Sequence, residues 1–371
     1  MNGGPPAPRP RRAGVAGAMV GMAAAGVAAG VALERLLLRR SRSVATDPNA
    51  AEPFGQLPLD ESLLVPGPAG LDLYVEVVEP ADGIDLDPGF AGPGTALPAE
   101  PALVFVHGFG LDMGTYHFQR QALTRRGDYR MVFYDQPGHG RSGRLARGEY
   151  TLDMLAEALH AVLVETVPVG PIVLIGHSMG GMTIMALAES YPELFGHRVA
   201  GVVFISTSAG DLDQVTLGMP DFVARFTRPL IPAVIGGGRL TTGAIDNIRR
   251  ASTDLAWLMT RRYGFGSGKV SPALVSFVEQ MNSRTSTEVV VRYLRAVYTH
   301  ARYPALEALK RTRTLVICGD DDKLTPPSHS AEICRVLPDA QFVAVPQAGH
   351  VALLERPDIV NAALDTFLEQ I

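Results

Sequence analysis

One short stretch constrains this chain more than any other. An apolar run, Pro171-Ile172-Val173-Leu174-Ile175, leads directly into Gly176-His177-Ser178-Met179-Gly180-Gly181, and a segment rich in small residues follows, Met182-Thr183-Ile184-Met185-Ala186-Leu187-Ala188. The pattern is strand, sharp turn, helix, with Ser178 at the apex. Glycines two residues before and two after the serine let neighbouring backbone pass close to a strained turn. Such a turn pushes the serine oxygen out above the sheet edge, and the first turn of the helix offers free backbone N–H groups to an anion.

The flanking sequence alternates strand and helix. Continuous apolar runs predict strands near 102–106, 130–134, 171–175, 199–205, 313–318 and 341–345. Amphipathic patterns predict helices near 114–126, 151–167, 179–190, 328–337 and 357–370. Apolar strands alternating with helices imply a mostly parallel sheet covered on both faces, with loop chemistry at the carboxyl ends of the strands. Leu71 to Val77 alternates, as expected of a half-buried strand at the sheet edge. Residues 211–303 interrupt the alternation with successive helical stretches and two glycine-rich breaks, Gly236–Gly238 and Gly264–Gly268.

On these residues the chain, from about Leu71 to its C-terminus, resembles the α/β-hydrolase family. Four further segments fall in the order that resemblance requires. Val104-Phe105-Val106-His107-Gly108-Phe109-Gly110 is similar to the oxyanion loop, and Tyr134-Asp135-Gln136-Pro137-Gly138-His139-Gly140-Arg141-Ser142 to the loop after the next strand. Val316-Ile317-Cys318-Gly319-Asp320-Asp321-Asp322-Lys323-Leu324-Thr325-Pro326 is similar to the acid loop, and Ala348-Gly349-His350 to the base loop. The resemblance implies a triad of Ser178, Asp322 and His350, in the chain order of this fold. It selects Asp322 from three adjacent aspartates because the acid precedes a Leu-Thr-Pro-like end by a fixed spacing; Asp211 is the outside candidate. It implies a helical cap at 211–303, with Pro220–Phe226, Trp257, Leu258, Met259 and Phe277 as candidate pocket residues.

The chemistry behind that choice is general. A serine hydroxyl is a poor nucleophile unless a base stands within hydrogen-bond reach and a third group fixes the base's tautomer. The oxyanion must meet preorganised donors, here the backbone N–H groups of Phe109 and Met179. His107, His177, His139 and Arg141 are expected to tie loops together. The expected function is a serine hydrolase cleaving a small apolar carboxylic ester. Amidase, thioesterase, C–C bond hydrolase and cofactor-free peroxidase-like chemistry share the same triad, and a non-catalytic receptor shares the fold. No cofactor is expected. The two cysteines lack metal-site spacing, so no metal is expected either.

Composition sets the remaining bounds. The chain has 371 residues, 47% of them hydrophobic and 19% charged, enough for a core without disulfides. A net charge of -5 gives no reason to expect a nucleic-acid partner. Residues 1–42 stand apart: Arg9-Pro10-Arg11-Arg12 precedes an uncharged run from Ala13 to Leu33, about 21 residues and long enough to cross a bilayer. A basic flank follows it, Arg39-Arg40-Ser41-Arg42, which fits an uncleaved membrane anchor better than a cleaved export signal or a cytoplasmic leader. Residues 43–70, rich in Pro and acidic residues, read as a linker to the domain at 71–371.

Overall fold

The computed structural model describes residues 47–81, 100–215 and 253–371. The anchor-like segment, the first residues of the linker, most of the loop before residue 101 and the insertion's residues 216–252, with Pro220–Phe226 and Gly236–Gly238, lie outside the described residues. Among the described residues no helix is long and apolar enough to cross a membrane.

Eight strands form one sheet: β1 (Glu61–Pro66), β2 (Asp72–Val78), β3 (Ala102–Val106), β4 (Met131–Tyr134), β5 (Ile172–His177), β6 (Val199–Ile205), β7 (Arg313–Gly319) and β8 (Gln341–Val345). Their spatial order is β1-β2-β4-β3-β5-β6-β7-β8, with β1, β2 and β4 paired antiparallel and every later pairing parallel. The described helices are α1 (His117–Arg126), α2 (Leu152–Thr166), α3 (Met179–Ser190), α4 (Thr253–Gly264), α5 (Pro272–Arg284), α6 (Thr287–Tyr298), α7 (Ala305–Leu309), α8 (Pro327–Val336), α9 (Ala352–Glu355) and α10 (Pro357–Leu368).

The central strands are apolar throughout because both faces are covered. Val104, Val106, Leu174, Val202 and Phe204 point to a layer containing Leu155 and Leu159 of α2, Met185 of α3 and Ile333 of α8. The alternate residues Leu103, Phe105, Val173, Ile175 and Ile317 point to the opposite layer, with Leu123 of α1 and Val360, Leu364 and Phe367 of α10. Each fully buried side chain of this size contributes about 1.5–3 kcal/mol. Helix starts follow from local chemistry: Thr151, Ser271 and Ser286 accept the N–H of Met154, Leu274 and Val289, capping α2, α5 and α6.

Two expectations about the N-terminal side need correction. The strand after Leu71 is not the sheet edge, because β1 pairs with it across Glu61↔Val77 to Pro66↔Asp72. Nor do residues 47–70 behave as a linker. Phe54 stacks on Phe277 of α5 at 4.6 Å, Glu52 accepts from His117 Nε2 at 2.7 Å, and the Asp47 carboxylate accepts the Ala273 N–H at the start of α5. Residues 47–60 form a strap fastened by single side chains rather than by a repeating pattern.

The insertion between β6 and β7 lies against the loops at the carboxyl ends of the strands. Tyr293 of α6 donates to the Pro137 carbonyl at 2.7 Å and stacks on Tyr150. Phe277 and Met281 of α5 face Gly114, and Asn282 faces Gly110. Trp257 and Phe277 are buried, whereas Met259 is exposed.

Candidate active site

Ser178 sits between β5 and α3 with φ +52° and ψ −118°, a conformation a residue with a Cβ rarely adopts. The surroundings fix it there. Its N–H donates to Ile205 O, and its carbonyl accepts from the Gly181 and Met182 amides and from the Thr207 hydroxyl. The flanking glycines are steric necessities: a Cβ at Gly176 would come 2.7 Å from the Gly180 carbonyl carbon, and one at Gly180 would come 1.9 Å from Val106 O. The absence of side chains lets the turn close against β3.

Three loops converge on this serine. His350 Nε2 lies 2.8 Å from Ser178 Oγ, and His350 Nδ1 lies 2.9 Å from Asp322 Oδ2. Asp322 comes from the loop after β7 and His350 from the loop after β8. Asp322 Oδ1 accepts the amides of Leu324 and Thr325, and Oδ2 accepts the Thr325 hydroxyl. Burial is the largest influence on this carboxyl and would raise its pKa. The electrostatic attraction of the His350 ring, its hydrogen bond and the Thr325 donors together outweigh it, so the pKa lies below the ordinary value. An ionised carboxylate only accepts, so the His350 proton sits on Nδ1 and leaves Nε2 open to the serine hydroxyl.

Phe109 and Met179 present their backbone beside the serine. A Cβ at Gly108 would fall 3.1 Å from Ser178 Cβ, which brings the amide that follows it against the site. Met179 opens α3, where the first N–H groups have no intrahelical acceptor. Among the described residues no acceptor meets either amide.

The remaining histidines near the site are neutral struts. His107 Nε2 accepts the Gln136 amide while its Nδ1 donates to Gly108 O. His139 Nε2 accepts the Gly110 amide, and His177 Nε2 donates to the carbonyl of His350. Burial, the leading cause in each, pushes the pKa of His107 down, that of His139 to about 4 and that of His177 to about 3. Arg141 stacks its guanidinium over Tyr74. Asp320 is exposed, Asp321 holds Ser267, and Asp211 bonds the Tyr303 hydroxyl, so none of these reaches His350.

Sequence reasoning did not single out Thr325, Thr207 or Gln136. Gln136 bridges the His107 carbonyl and the Thr183 hydroxyl and so ties the loop after β3 to α3. Thr325 lies in a segment already read as the acid loop, but its hydroxyl contact to Asp322 depends on how that loop turns.

A family profile described as alpha/beta hydrolase fold matches residues 101–357. Over 271 residues, 72% of this chain and 81% of the other, the sequence is 27% identical to an sn-1-specific diacylglycerol lipase of Mus musculus. The structure resembles a thermophilic esterase from Thermogutta terrifontis with a TM-score of 0.62 and 24% identity, covering 84% of this chain and 99% of that one. It resembles a bromoperoxidase from Bacillus anthracis with a TM-score of 0.60 and 20% identity, covering 83% and 100%.

Proposed function

This chain belongs to the α/β-hydrolase fold family, and from that membership we propose that it is a serine hydrolase that cleaves a carboxylic ester through an acyl-enzyme intermediate. The observation that carries the reading is the unbroken chain Ser178 Oγ, His350, Asp322, with contacts of 2.8 and 2.9 Å. His350 Nε2 takes the hydroxyl proton as Oγ attacks the ester carbon. Asp322 stabilises the resulting imidazolium, and the Phe109 and Met179 amides meet the oxyanion. Collapse breaks the bond to the alkoxy oxygen, which leaves as the alcohol with the proton from His350. Water, deprotonated by His350, then attacks the acyl carbon and restores Ser178 as the acid departs.

The names of the lipase and esterase relatives support an ester over other acyl substrates. The bromoperoxidase likeness keeps peroxidase-like chemistry at the same serine as the second reading. The insertion at 211–303 acts as a cap, in keeping with α5 and α6 lying against the loops at Gly110 and Pro137. A fluorophosphonate probe tests the nucleophile: it should label the wild-type chain and not Ser178→Ala. A panel of p-nitrophenyl esters, run beside amides and beside bromide with peroxide and acetate, separates the two readings by which substrates turn over.

For residues 13–33 the reading is an uncleaved anchor that places the domain where apolar esters collect. The full chain should then stay with membranes through carbonate washing. Recovery in the soluble fraction at full mass would rule the anchor out, and recovery shortened by about 30 to 45 residues would point to export with cleavage.

A further inference from the structure

The loop that carries His350 is also held from outside the Ser178–His350–Asp322 chain. Glu355, the last residue of α9, turns back over it. Its Oε1 accepts the Gly349 amide at 2.6 Å, and its Oε2 accepts the Gly266 amide at 3.0 Å. Gly349 immediately precedes His350, and Gly266 belongs to the turn between α4 and α5 of the insertion. Neither position has room for a side chain: a Cβ at Gly349 would fall 2.4 Å from the Phe265 carbonyl carbon, and one at Gly266 would fall 2.4 Å from Gln347 O.

More bonds run along the same seam. The Val351 amide donates to Gly264 O at 3.0 Å, and the Ser267 amide donates to the Asp321 carboxylate at 2.8 Å. Lys323 Nζ reaches Phe265 O, and Arg261 pins the turn from within through Gly266 O and Gly268 O. Residues 264–268 therefore touch both the loop of His350 and the loop of Asp322. Burial, the largest influence, lifts the Glu355 carboxyl to about 7 despite the two amides and the charges of Arg261 and Lys323 that lower it.

We infer that Glu355 is a positioning residue for His350: by gathering the Gly349 and Gly266 amides on one carboxylate, it seats the base loop and fastens the insertion to it. The inference rests on the reading of Ser178, His350 and Asp322 as a hydrolytic triad. A shift of the imidazole away from Ser178 impairs proton transfer and leaves substrate binding largely alone, so the effect falls on kcat.

The test is p-nitrophenyl acetate hydrolysis by the full chain, with active serines counted by fluorophosphonate labelling. Glu355→Ala should lose kcat per labelled serine by roughly tenfold to a hundredfold, with KM within about twofold. Glu355→Gln, which keeps a carbonyl oxygen for the Gly349 amide, should recover most of that loss. Wild-type kcat per labelled serine in Glu355→Ala would overturn the inference, and so would equal losses in the Ala and Gln variants. If Glu355→Ala does not fold, Glu355→Asp replaces it: one methylene short, it must lose kcat where Gln retains it, and the reverse order overturns the inference. A wild-type chain that takes no label and turns over no ester would sink the hydrolase reading instead.

Discussion

At Ser178 the backbone holds a conformation costing about 1–3 kcal/mol, and the bonds to Ile205, Thr207, Gly181 and Met182 hold it there. That strain aims Oγ at His350. Ser178→Ala and His350→Ala should each cut ester turnover by roughly 10⁴-fold or more, because such residues act as a unit. Substantial activity in either variant, with unchanged circular dichroism, would remove these roles. Asp322→Asn should lose roughly 10⁴-fold through the wrong imidazole tautomer, while Asp320→Asn, Asp321→Asn and Asp211→Asn stay near wild type. A dead Asp211→Asn beside an active Asp322→Asn would move the acid to the end of β6. His177 sets a different expectation. Its pKa of about 3 lies below the unfolded value of about 6.5, so the unfolded chain binds the proton first. The stability it contributes is complete above about pH 6.5 and is lost as pH falls toward its folded pKa, by up to about 1.4 kcal/mol per pH unit. Asp135, which burial lifts to about 7, works in the opposite sense over about pH 4 to 7. Urea midpoints of His177→Gln should therefore fall less steeply than those of wild type between pH 6.5 and 4.5. Identical slopes would mean that His177 takes up its proton as readily in the folded chain as in the unfolded one.

Among the elements, the tightest fit is α3 against β3. Gly180→Ala places a methyl group 1.9 Å from Val106 O and cannot be absorbed by a flexible side chain. It should destabilise by about 1–3 kcal/mol or more and misplace Ser178, as read by urea unfolding and loss of fluorophosphonate labelling. Unchanged stability would mean that the turn is looser than its geometry. The strap gives a second expectation. Removing residues 1–46 should leave the unfolding midpoint unchanged. Removing 1–60 should lower it, because Phe277 loses its stacking partner, His117 loses Glu52 and α5 loses the Asp47 carboxylate. Equal midpoints for the two truncations would return residues 47–60 to the status of a linker. The sequence could not announce the strap, since Asp47, Glu52 and Phe54 act singly and follow no period. β1 escaped for a related reason: in Glu61–Pro66 only Val65 is fully buried, and the strand ends in proline. The parallel strands were legible because burial on both faces leaves long apolar runs, and β3, β5, β6, β7 and β8 all lie within two residues of their expected bounds.

Across the whole molecule, the loops of Ser178, Asp322 and His350 were readable from motif and chain order. The supports that hold them were not. Gln136 and Glu355 make contacts that exist only after distant segments meet, such as Gly266 with Gly349, and no local pattern encodes such a meeting; Thr325 reaches Asp322 from three residues away, through a turn of its loop that no periodicity announces. One consequence follows from where the insertion leaves and rejoins the sheet. β6 and β7 are hydrogen-bonded neighbours, from Gly201↔Arg313 to Ile205↔Ile317, with about a hundred residues between them. The entropy of closing a loop grows only with the logarithm of its length, so doubling such an excursion costs about 0.6 kcal/mol more. Segments of quite different size and sequence could occupy that gap while β6 and β7 remain paired, provided the turn at 264–268 keeps its bonds to the loops of Asp322 and His350. Away from that seam, the covering of the site is thus free to vary on a scaffold that cannot.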